Sequence, residues 1–210
     1  MAELKGGDIH VATVNAGSIR LDGGAMFGVV PKPLWSRRAA SDRRNRISLA
    51  MRCLLIRTPG ATVLVDSGLG NKEDNKFHDI YAVRNEGTPT RLESSLRALG
   101  VTPADVDIVV NTHLHFDHAG GNTTRTAGGE IVPAFPNAEY VIHRGEWEYA
   151  HLDNERVRAS YIEHNFDPLD DTGRVRWVEG DRATVAPGVE TIRTPGHTPY
   201  HQSSLVTLGD

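Results

Sequence analysis

VDIVVNTHLHFDHAGG (residues 106–121) is the stretch from which this chain is read. Ile108, Val109 and Val110 form a short unbroken apolar run, as a strand buried on both faces requires. The run ends abruptly, and His113, His115, Asp117 and His118 follow. Residues two apart on extended backbone project to the same side, so His113 and His115 can reach one point in space. Imidazole is the commonest protein ligand for divalent transition metals, and a neighbouring carboxylate can hold a second ion or a bound water. A lone histidine in this place reads as a polar loop residue. Three histidines and an aspartate in H-x-H-x-D-H order, closing an apolar strand, read as a metal site.

Composition sets the bounds around that motif. A chain of 210 residues, 39% of them apolar, suits a single domain over 1–210 with a real core. No apolar run approaches a membrane span, and the N-terminal segment lacks the apolar core of a secretory signal. A cytoplasmic location is therefore expected, without a membrane partner. Cys53, the one cysteine, sits in an apolar strand-like run and reads as a small buried hydrophobe. It can form no internal disulfide, which fits a reducing compartment. Net charge is −4, with a local basic cluster at Arg37, Arg38, Arg43, Arg44 and Arg46. Such a cluster can bind nucleic acid or an anionic substrate, but no aromatics interleave with it. A solvated face is the better reading, and no nucleic-acid partner is expected.

Along the chain, residues 9–15 alternate apolar and polar and predict a strand, with 18–21 as a hairpin partner and Asp22-Gly23-Gly24 as a turn. Residues 25–30 read as a glycine-flanked apolar loop whose Met26 and Phe27 either cap the core or line a pocket. Pro31 and Pro33 are expected to hold the chain extended toward Trp35. Residues 47–57 and 61–66 predict a hairpin across Thr58-Pro59-Gly60. Residues 71–87 are polar and weakly patterned, as in a surface excursion or lid. Leu92, Leu96 and Leu99 have helical spacing, with Gly100 as a stop. Further strands are expected at 138–143, 175–178 and 189–193, with helices opening at Arg144 and over 156–164, and with His143 at the surface or the rim of the site. Helices and strands around a hairpin-rich sheet imply an α/β layered domain.

The H-x-H-x-D-H spacing resembles the metallo-β-lactamase-fold hydrolases, and two further segments fall in that family's order. Asp66 ends the run Ala61-Thr-Val-Leu-Val-Asp66-Ser-Gly68, ahead of the histidines, and His197 lies after them in Thr194-Pro-Gly-His197-Thr-Pro. The segment Asp22-Gly-Gly-Ala-Met-Phe-Gly-Val-Val-Pro-Lys-Pro-Leu-Trp35 is similar to the quorum-quenching lactonases within that superfamily. The resemblance implies an αββα sandwich holding two divalent metal ions, with zinc the expected metal. His113, His115 and His197 would hold one ion, and Asp117 and His118 would begin the site of the second. Asp66 would support the ligand loop through hydrogen bonds without ligating. The family pattern continues with a bridging Asp and a final His. This sequence stops at Asp210, where Gly209-Asp210 reads as a hairpin turn. The C-terminal part of the fold, and with it part of the second metal site, is therefore expected to be missing.

Three histidines with a fourth position open suit a catalytic zinc, which brings the pKa of a bound water down to about 7. Asp117 would orient that water and later protonate the departing atom. No G-x-S-x-G motif is present, and Cys53 is poorly placed as a nucleophile. The leading expectation is a metallo-hydrolase acting on a lactone ring, of the acyl-homoserine lactone class that the subgroup implies, with Met26 and Phe27 beside the acyl chain. Hydrolysis of a thioester (as by hydroxyacylglutathione hydrolases), a phosphodiester or an organophosphate needs the same ligands, because specificity lives in the pocket walls. The non-enzymatic alternative is a fragment that holds one metal weakly and turns nothing over. The enzymatic readings imply a small-molecule substrate and allow a homodimer.

Overall fold

The apolar runs around the histidine motif are strands whose two faces serve two different cores. The structure, a computed structural model, describes residues 2–209. In chain order it contains β1 (Glu3–Gly6), β2 (Ile9–Asp22), α1 (Gly23–Phe27), α2 (Lys32–Trp35), β3 (Arg46–Thr58), β4 (Ala61–Val65), α3 (Asn75–Tyr81) and α4 (Arg91–Ala98). There follow β5 (Ile108–Val110), α5 (Phe116–Ala119), β6 (Thr123–Arg125), β7 (Ile131–Pro133), β8 (Glu139–His143), α6 (Arg144–Ala150), α7 (Asp167–Asp171), β9 (Val175–Val178), β10 (Arg182–Ala186), β11 (Val189–Arg193) and β12 (Gln202–Val206).

The main sheet runs β1-β2-β3-β4-β5-β8-β9, a second sheet runs β10-β11-β12, and β6 and β7 form a short ribbon. Pairing is antiparallel from β1 to β4 and parallel from β4 to β9. Leu64, Val109, Tyr140 and Ile142 point to one face of the main sheet, where Leu92 and Leu96 of α4 and Leu169 of α7 join them. Val63, Val65, Val110 and Val141 point to the other face and meet Val185 and Val189 of the second sheet. Every buried residue of this second core comes from a strand, so it is sheet against sheet. Helix, sheet and sheet layers of the αββα sandwich are thus in place. Period-two alternation within an all-apolar run produces this division, and full burial of each valine or leucine contributes about 1.5–3 kcal/mol.

Several local expectations are corrected. Residues 9–22 are one strand, not a hairpin, because Asn15 to Ser18 forms a bulge against β3. Gly17 takes φ 104 there, and a Cβ on it would meet the Arg84 carbonyl oxygen at 2.4 Å. The bulge shifts the parity, so Val14 and Ile19 face the same core. Asp22 opens a helix instead of a turn, accepting from the Ala25 amide at 2.9 Å. Pro31 and Pro33 likewise sit at the start of α2, where a missing N–H costs nothing. Residues 71–87 contain α3, and Lys72 and Asn85 within them are buried. Residues 156–164 form no α-helix; turns there lead into a 3-10 turn at Glu163–Asn165. Helix α4 matches its expectation, closed at its start by a Thr90–Glu93 capping box. No helix among the described residues is long and apolar enough to cross a membrane.

Candidate metal centre

Parallel strands β4 and β5 end side by side, and the loops at their C-terminal ends carry the polar motif. The Asp66 amide donates to the Val110 carbonyl at 2.8 Å, extending the pairing by one residue. Asp66 itself turns into the left-handed region at φ 58, which a short polar side chain tolerates. Its carboxylate then faces the β5 loop. Oδ1 accepts from the Thr112 amide at 2.8 Å, and Oδ2 accepts from Nδ1 of His118 at 2.8 Å.

The helix α5 that carries Asp117 and His118 is pressed onto the Asp66 loop. The Ser67 amide donates to the His118 carbonyl at 2.8 Å, and the Gly121 amide to the Gly68 carbonyl at 2.9 Å. A Cβ on Gly121 would lie 2.1 Å from the Ser67 carbonyl oxygen, so the second glycine of His-Ala-Gly-Gly is needed for this approach.

His113, His115 and His197 offer ring nitrogens that all lie within 4.8 Å of one another. His197 arrives from the β11–β12 loop of the second sheet. The rings meet edge to face, with centroids 4.6 Å apart for His113 and His115, 4.8 Å for His113 and His197, and 4.9 Å for His115 and His197. The ring of His118 lies beside them, 4.1 Å from that of His113. Asp117 Oδ2 stands 3.6 Å from His118 Nε2.

The residues fit a metal ion, on the evidence of one orphaned atom. His113 is buried, and its Nε2 has no hydrogen-bond partner. The Thr112 hydroxyl lies 2.9 Å from Asp66 Oδ2 and 3.0 Å from His113 Nδ1. Its single proton goes to the carboxylate, so it accepts from Nδ1–H of His113. Nε2 of His113 is then unprotonated, with its lone pair turned into the cluster. A buried acceptor without a partner costs about 1–3 kcal/mol, which a ligated ion removes.

Electrostatics favour the same state. Burial, reinforced by the neighbouring imidazoles, drives His113 far below the usual histidine range and His115 down to about 3. Both rings are neutral at physiological pH, as ligands must be. His118 behaves oppositely. Burial acts to lower it, but the hydrogen bond and negative charge of Asp66, with Asp117 beside them, outweigh burial and raise it to about 9.

Asp66 thus lies within the cluster, bonded to Thr112 and His118, and the structure gathers His113, His115, Asp117, His118 and His197 around it. Met26 is exposed, and Phe27 stacks on Trp35 at 5.1 Å. A cavity of about 130 Å³ adjoins Asp66, Asp117 and His118, and Leu49, Met51 and Cys53 also line it. Cys53 is buried there, and burial pushes its thiol well above the ordinary range. His143 is buried, not on the surface; it accepts from the Gly145 amide at the start of α6 and stacks on Tyr200. Asp210 lies outside the described residues. Motif spacing missed His201, whose ring sits 5.3 Å from that of His113 and whose Nδ1 lies 2.9 Å from Thr194 Oγ1. Its place four residues after His197, in Thr198-Pro-Tyr-His201, was the available signal.

Residues 52–210 match the family described as the metallo-beta-lactamase superfamily. An N-acyl homoserine lactonase of Bacillus cereus is 32% identical over 169 residues, which cover 77% of this chain and 60% of that protein. A solved structure from Staphylococcus aureus, of a "probable metal-dependent hydrolase", superposes with TM-score 0.83 at 35% identity, covering 95% of this chain and 69% of the other. A structure of an N-acyl homoserine lactone hydrolase, with the product N-hexanoyl-L-homoserine at its catalytic metal centre, gives TM-score 0.67 at 26% identity, covering 98% and 71%. The chain spans about 60% of the length of the Bacillus cereus lactonase.

Proposed function

The chain belongs to the metallo-beta-lactamase superfamily, and from that premise we propose that it serves a metal-dependent hydrolase that opens the lactone ring of small N-acyl homoserine lactone substrates. The observation that carries the reading is the convergence of His113, His115 and His197, with the buried Nε2 of His113 left unpartnered. Similarity to lactonases supplies the substrate class. These three histidines would hold one divalent ion, and Asp117 with His118 would supply ligands to a second. Zinc suits a set of three imidazoles with a position left open. A bound ion would supply a Lewis acid and would make a water acidic at neutral pH.

The chain's own residues do the rest. Asp66 fixes the ring orientation of His118 and, through Thr112, the tautomer of His113. Asp117, with a quarter of its side chain exposed, is placed to take a proton from the attacking water and return it to the ring oxygen that departs. Leu49 and Met51 offer an apolar wall beside it. The lone buried cysteine supports a cytoplasmic setting.

A panel of lactones, thioesters and phosphodiesters, assayed with measured metal content, tests the reading. Lactone opening is expected to be fastest and to stop on chelation. Faster thioester or phosphodiester turnover, or turnover indifferent to chelation, would overturn it.

A further inference from the structure

Helix α6 carries a carboxylate that belongs to none of the motifs. Glu146 is 2% exposed. Its Oε1 accepts from the Leu114 amide at 3.2 Å and from the Tyr161 hydroxyl at 2.9 Å, and its Oε2 accepts from the Thr198 hydroxyl at 2.6 Å. Each donor is attached to a ligand-bearing segment. Leu114 stands between His113 and His115. Thr198 follows His197. Tyr161 packs its ring edge-on to that of His115 at 4.7 Å, and its backbone bridges to His115.

These partners are one backbone amide and two hydroxyls, none of them charged. Burying a carboxylate on neutral partners is costly, and an apolar side chain would stabilise the fold at less expense. The arrangement makes sense where the carboxylate serves geometry. The second sheet brings His197 to the main sheet, and the Thr198–Glu146–Leu114 bridge is a direct polar link between the two ligand segments.

We propose that Glu146 is a positioning residue of the metal centre: one carboxylate holds the His113–His115 segment, the His197 loop and Tyr161 at the spacing a single ion requires. The proposal rests on the metal-centre reading above. Residues that orient ligands typically contribute about 10–100-fold to metal affinity.

Cobalt(II) binding by the full chain tests it, with affinity measured by chelator competition and geometry by the visible absorption of the bound ion. Glu146→Ala is expected to weaken Co2+ about 10–100-fold and to alter the spectrum. Glu146→Gln keeps an oxygen for Leu114 and Tyr161 and an amide for the Thr198 oxygen, so it should restore most of both. Thr198→Val removes only the link to the His197 loop and is expected to weaken Co2+ while leaving melting nearly unchanged. It decides the matter if Glu146→Ala fails to fold. Unchanged affinity and spectrum in Thr198→Val, or Gln no better than Ala, would overturn the positioning role. Failure of the unaltered chain to bind Co2+ would instead overturn the metal-centre reading, and this role with it.

Discussion

Asp66 Oδ2 and His118 Nδ1 meet at 2.8 Å across 52 positions of sequence. The bond uses the inner nitrogen of the ring and leaves Nε2 toward Asp117. A carboxylate and an imidazole so paired hold a proton in the absence of metal and release it to a competing ion.

That exchange has a measurable pH signature. His118 is raised to about 9 in the folded, metal-free chain, against about 6.5 for a free histidine. A raised histidine contributes stability that is fully present below pH about 6.5 and lost as pH rises through about 9. Melting of the metal-free chain should therefore fall between those values, and Asp66→Asn should flatten the fall. Zinc added at pH 7.5 should release protons. A flat profile in the unaltered chain would contradict the pairing.

His197 tests ligation apart from folding, because it is exposed and the strands on either side of its loop are paired. His197→Ala should abolish tight metal retention on dialysis. Metal-free stability should change by no more than about 0.5 kcal/mol, as for other exposed positions. Full metal content in this variant would remove His197 from the ligand set.

Asp117→Asn is expected to lower lactone turnover by about 10²–10⁴-fold, the usual contribution of a general acid–base group. Its melting temperature should move little, since the side chain is partly exposed at the rim of the cluster. Comparable turnover in the two proteins would exclude the role.

Gly121→Ala addresses the contact between the α5 region and the Asp66 loop. The added methyl would sit 2.1 Å from the Ser67 carbonyl oxygen, a backbone atom that cannot swing aside. Overpacking of this kind costs about 1–3 kcal/mol. Urea denaturation should show that loss, together with weaker metal binding as Asp66 and His118 are forced apart. Parental stability would show that the loop yields more easily than its packing suggests.

How much was legible in the sequence depends on the range of the interactions involved. The Ile108–Val110 strand, the Leu92–Leu96 helix and the hairpin across Pro59-Gly60 follow from neighbouring residues, and they form as expected. The bulge at Gly17 was misread as a hairpin because glycine and serine mark both, and only pairing with β3 decides between them. Helices α1 and α2 were missed because they are barely one turn long, so no apolar period could announce them.

By itself, the sequence determined where the candidate ligands stand: an apolar strand ending in H-x-H-x-D-H, with an aspartate after the preceding strand. Those features are local, set by backbone periodicity and the donor chemistry of each residue. Only the tertiary structure decided that His197 reaches the other histidines, that the hydroxyl of Thr112 sets the tautomer of His113, and that Glu146 spans the ligand segments. The first and last depend on two sheets packing through their valine faces, the second on β4 and β5 pairing side by side, and spacing along one chain does not encode the distance between segments that meet only when the core closes.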